Sequence, residues 1–129
     1  HYSSGNYQKA VTDLERAIEL NPKYIKAYEN LAWLRATCPD ATLRDGVLAV
    51  SLAKKARFLR PAGTPALYDI LAAAYASQGR HNQAVKYQEL AIESTSEQEQ
   101  RRHFKQRLDL YKKGGIYEDA DQNRFLVNG

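Results

Sequence analysis

The chain has 129 residues, a formal net charge of +4, and 43% hydrophobic against 26% charged residues, the balance of one soluble domain with a continuous core. Ala, Leu, Lys, Arg, Glu and Gln are common and β-branched residues few, which predicts an all-α fold. No run approaches the roughly 20 apolar residues that a membrane span requires, and nothing is built like a signal peptide.

The lone Cys38 excludes an internal disulfide and points to a reducing compartment, the cytoplasm. The chain holds no Met and opens at His1-Tyr2-Ser3-Ser4, so it is expected to be a piece of a longer protein.

The first predicted element is an amphipathic helix over residues 6–20. Gly5-Asn6 offers a turn and an N-cap, apolar residues recur at Tyr7, Ala10, Val11, Leu14, Ala17 and Ile18, and Asn21-Pro22 stops the run. A second helix carries Tyr28, Leu31 and Ala32 and ends at Pro39. A long turn, residues 38–46, leads to a third helix with Ala49-Val50, Ala53 and Ala56, for which Asp45 is the expected cap. After Ala62-Gly63-Thr64 the pattern returns as Tyr68, Leu71-Ala72 and Tyr75, then as Ala84-Val85, Gln88 and Ala91-Ile92. Ser94-Thr95-Ser96-Glu97 has helix-start chemistry, and Phe104, Leu108 and Tyr111 mark one stripe of a last helix over 97–113. Gly115-Ile116-Tyr117-Glu118-Asp119-Ala120 echoes Gly5 to Ala10, but Asp121, Asn123 and Arg124 break the apolar pattern, so residues 114–129 read as a degenerate tail.

Ala10, Ala49 and Ala84 open matching runs 39 and 35 residues apart, while Tyr28 and Tyr68 open a second series 40 apart. Two helix types therefore alternate. This resembles the tetratricopeptide repeat, a helix-turn-helix unit of about 34 residues. Residues 65–93 match best, through Tyr68, Leu71, Ala72, Tyr75, Gly79, Ala84 and Ala91, with Gln88 where a bulky residue is usual. Residues 1–22 look like the second half of an earlier unit, residues 25–61 like a variant whose internal turn is five residues longer, and 97–113 like a capping helix. Arg35 replaces the variant's expected aromatic, a gap for Trp33 or Leu34 to fill. The resemblance implies stacked helix pairs forming a right-handed solenoid.

Chemistry of its own is not expected. His1, His81 and His103 are scattered, with no carboxylate, Cys or second His at ligand or triad spacing, and the glycines lack the strand and Lys-Ser/Thr of a phosphate loop. No catalytic residue, metal or cofactor is predicted. Cys38 lies near Arg35 and Arg44, where cations lower a thiol pKa, but a small residue beside Pro39 reads first as packing. Residues 101–113 carry six cations against Asp109 alone, a candidate phosphate contact, although they spread over several faces and also complement the helix dipole.

The resemblance implies a protein-interaction scaffold that binds a peptide or partner protein in a groove lined by first helices. The alternative is a substrate-recruiting or oligomerising arm of a larger enzyme such as a glycosyltransferase, and RNA binding through the last helix is the third reading. By phase, the groove is predicted to present Lys26, Glu29, Asn30 and Trp33, then Ala66, Asp69, Ile70 and Ala73, then Arg102, Lys105, Gln106 and Asp109. Some members grip a terminal carboxylate with Lys, Asn and Arg, but Trp33 and Ala73 stand where that clamp needs Asn. The expected partner has an apolar anchor and an acidic flank. The helix at 6–20, lacking the helix before it, is expected to expose an apolar face and self-associate.

Overall fold

The computed structural model describes residues 4–120, which form six helices: α1 (Ser4–Leu20), α2 (Ile25–Thr37), α3 (Gly46–Leu59), α4 (Pro65–Ser77), α5 (His81–Ser94) and α6 (Gln98–Lys112). Each packs on the next in helix-turn-helix pairs, and α2 and α4 also lie against one another. The α3 start follows its sequence signal, and α4 carries a cap that the sequence reading did not name. Asp45 accepts the Leu48 N–H at 3.0 Å to cap α3, and Thr64 accepts the Leu67 N–H at 3.1 Å, with Pro65 opening α4. The α1 start departs from its signal: the helix begins at Ser4, so Asn6 lies inside its first turn instead of capping it.

Two apolar clusters result. Tyr7, Ala10, Val11 and Leu14 of α1 meet Ala27, Leu31, Leu34 and Cys38 of the second helix and its C-cap. The larger cluster joins α2 to α6, where Tyr111 enters it, and is rich in alanine, including Ala32, Ala36, Ala49, Ala53, Ala72 and Ala84. Such small contacts let helix axes approach closely and leave little void for a side chain to collapse into, so truncating a leucine here costs about 2–5 kcal/mol. The predicted uncovered face of α1 is thus corrected, for those four residues are buried. A helix needs one neighbour to cover its stripe, and α2 folds back to supply it, which removes the patch expected to drive self-association.

The long turn is tied down throughout. Asp40 accepts from the Thr42 N–H and hydroxyl, the Arg35 guanidinium donates to the Leu43 carbonyl at 2.9 Å, and the Asp45 N–H returns to the Arg35 carbonyl at 2.7 Å. Arg35 is thus bonded into the turn, while Trp33 packs in the larger cluster and Leu34 in the α1–α2 cluster. Gly46 follows, where a Cβ would come within 2.7 Å of the Ala74 carbonyl oxygen, so α3 starts closer to α4 than any side chain allows.

Beyond α6 the chain reverses at Gly114, whose φ of +80° is a left-handed conformation suited to glycine. Residues 115–120 then return across the face shared by α2 and α6, so this part of the predicted tail is packed structure. Asp121, Asn123 and Arg124 lie outside the described residues.

Candidate functional site

Lys26, Asn30, Trp33 and Thr37 are spaced by four, three and four residues and so share one side of α2, turned away from the residues that meet α1. Residues 115–120 lie across the Trp33 and Thr37 end of this stripe in non-helical form. The Asp119 N–H donates to the Thr37 carbonyl at 2.8 Å, and its carboxylate accepts the Trp33 indole N–H at 2.8 Å. The Tyr117 ring is tilted against the Trp33 ring with centroids 5.8 Å apart. Glu118 pairs with Arg44 at 3.1 Å, and Arg44 is itself held by the Cys38 carbonyl at 2.8 Å. At the far end the Tyr7 hydroxyl of α1 donates to the Ala120 carbonyl at 3.2 Å.

From the other side Arg107 of α6 closes the site. Its guanidinium lies 5.0 Å from the Tyr117 ring centre, 5.6 Å from Trp33 and 5.5 Å from Phe104, a cation among three aromatic faces. It also makes a bidentate pair with Asp69 of α4, at 2.9 and 3.0 Å, and both side chains are buried. Burial works against the arginine's charge, but the Asp69 carboxylate outweighs it and holds the Arg107 pKa above the ordinary arginine value. Gln88 completes the arrangement by donating to Asp69 and to the Phe104 carbonyl, both at 3.0 Å. A bulky apolar residue at 88 would leave that carboxylate with one partner fewer, which explains the polar residue there.

Placement of the predicted groove residues is uneven. Lys26 is exposed on the α2 stripe, while Glu29, Asn30 and Trp33 are buried on the same helix. Asp69 is buried beneath Arg107, and Ile70 and Ala73 belong to the apolar core, with Ala66 against it. Arg102, Lys105, Gln106 and Asp109 are not in the groove. They are exposed on the side of α6 opposite Phe104, Arg107 and Tyr111; Arg102 pairs with Glu99, and Lys105 and Asp109 border an outer cleft of about 510 Å³ with Glu89, Ile92, Glu93 and Leu108. Phe104, Arg107 and Tyr111 make the inward side of α6, and neutralisation by Asp69 lets Arg107 lie there.

Sequence reasoning also missed Tyr7, Arg44, Tyr117 and Asp119 as site residues. The likeness of residues 115–120 to 5–10 carried the only signal. Cys38 packs in the α1–α2 cluster, and burial pushes its thiol pKa up, away from reactivity. Among the described residues no three His, Cys, Asp or Glu side chains are grouped to hold a metal ion.

Comparison with known families matches a TPR repeat over residues 1–34 and a tetratricopeptide repeat over residues 65–98. With its sequential helix pairs, the chain is a tetratricopeptide-repeat protein, a class that generally serves protein interaction. The unit with the lengthened turn falls largely between the two matches. Neither a curated protein nor a solved structure matches the chain. No helix among the described residues is long and apolar enough to cross a membrane.

Proposed function

We propose that the chain is a binding module, with no chemistry of its own, whose face formed by α2, α4 and α6 receives an extended segment of a partner protein. The observation that carries this reading is residues 115–120. They lie in that face as a peptide ligand would, held through main chain and side chains by α1, α2, the long turn and α6.

Charge supports a protein partner over nucleic acid. Of the cations on α6, Arg107 is buried against Asp69, Arg102 pairs with Glu99, and Arg101 donates to the Thr95 carbonyl. Half of the six cations that suggested phosphate contact are therefore engaged within the chain.

Site-specific photo-crosslinking tests the proposal. A crosslinking residue at Lys26, exposed on the groove stripe, is expected to trap partner protein, and one at Lys54, exposed on α3, is not. Adducts from position 54 with none from position 26 would place the binding surface on the opposite side.

A further inference from the structure

We infer that the groove recognises an aromatic residue followed by two acidic residues, and that Tyr117, Glu118 and Asp119 are a resident copy of this pattern which a partner displaces. The inference rests on the groove reading above and names the chemistry of its partner.

Each residue of the triplet meets a different receptor. The aromatic ring packs against both the Arg107 guanidinium and the Trp33 indole, at 5.0 and 5.8 Å, and those two are themselves 5.6 Å apart. The first acid meets Arg44, which the long turn supplies. The second meets the indole N–H, while its own N–H fixes the main chain on the Thr37 carbonyl. The Arg44 guanidinium and the indole N–H face the two successive acids, while Arg107, its charge balanced by Asp69, faces the ring, a surface complementary to an aromatic-acidic-acidic segment. Specificity of this kind comes from spacing as well as charge, since consecutive residues of an extended chain alternate sides.

The resident segment is also built to leave. It is neither helix nor strand, the Glu118 side chain is 49% exposed, and Tyr117 is only half-buried. It follows α6 directly through Gly114, so its effective concentration at the groove is high, in the millimolar range typical of short tethers. A partner with the same three residues therefore meets a site that is open for only a fraction of the time, and its apparent affinity falls by that fraction. Loosening the resident copy must raise the capture of such a partner. This is a consequence that a merely structural tail does not share.

The test uses the full chain and a fluorescein-labelled synthetic peptide with the sequence of residues 115–120, followed by fluorescence anisotropy. The Tyr117→Ala/Asp119→Ala double variant is expected to bind the peptide at least 10-fold more tightly than the unsubstituted chain, and a peptide of scrambled order is expected to bind neither. Because Asp119 is buried, circular dichroism must show the double variant still helical. Glu118→Lys, at an exposed side chain, serves as the fold-safe variant and is expected to gain severalfold. Equal capture by Glu118→Lys and the unsubstituted chain, or capture of the scrambled peptide at the same strength, overturns the inference. Crosslinking from Lys26 separates the two levels: persistent adducts with no gain in peptide capture reject the aromatic-acidic pattern alone, and loss of both rejects the groove reading as well.

Discussion

The indole N–H of Trp33 donates to the carboxylate of Asp119 at 2.8 Å, joining residues 86 positions apart through a buried bond. A hydrogen bond to a charged group contributes about 1.5–3 kcal/mol, enough to decide whether residues 115–120 stay seated. A double-mutant cycle of Trp33→Phe and Asp119→Ala, read by urea unfolding, is expected to give a coupling energy in that range. Additive losses would show that the bond contributes nothing to the seating.

The pair beneath it has a different energetic character. Asp69 and Arg107 are both buried and bonded at 2.9 and 3.0 Å, so removing one leaves an uncompensated charge in the interior. Arg107→Ala or Asp69→Ala is expected to cost about 3–5 kcal/mol, whereas Asp69→Leu/Arg107→Met together cost far less or stabilise. Denaturant midpoints decide it: a double variant as unstable as the worse single one would mean that packing, not charge, governs the site.

Asn30 presents the opposite situation. It is 2% exposed, and neither its amide nitrogen nor its carbonyl oxygen has a hydrogen-bond partner. An unpaired buried amide costs about 1–3 kcal/mol, and leucine has nearly the same shape. Asn30→Leu is expected to raise the melting temperature, and a lower value would show that the amide is satisfied in solution.

Glu29, one residue earlier, has its pKa raised by burial, against the smaller opposing pull of Lys26 and Arg60. A raised folded-state pKa means that the folded protein binds the proton more tightly than the unfolded chain. Stability therefore grows as pH falls through the raised value and levels off below the ordinary carboxylate pKa. Glu29→Gln is expected to raise the melting temperature at pH 7, with the gain shrinking toward pH 4 as the native side chain protonates. A gain of equal size at both values would point to a cause other than the charge.

Local signals were the legible part of the sequence. The alternating alanine and tyrosine series located the helix pairs, and Asp45 marked the start of α3 where the structure has it. The candidate site was less legible because its key contacts join distant segments. Arg107 looked like one of six surface cations until Asp69, 38 residues away, supplied its counter-charge. Trp33 was read as either a groove residue or a substitute for the missing aromatic at Arg35, yet its partners are Tyr117 and Asp119, in a stretch whose polar residues suggested a tail. Within residues 97–113 the stripe of Phe104 and Tyr111 marked the inward side of α6, but a buried arginine and an exposed one look alike in sequence, so Arg107 was not placed on it.

The protein carries a single tryptophan, and its indole reports directly on the seating of residues 115–120 on α2. In a proton–nitrogen correlation spectrum the Trp33 indole N–H gives one signal. That signal is expected to exchange slowly with solvent in the unsubstituted chain and to shift and exchange faster in Asp119→Ala. An indole N–H that exchanges rapidly in the unsubstituted chain, at a position unchanged by Asp119→Ala, would show that residues 115–120 are not seated on Trp33.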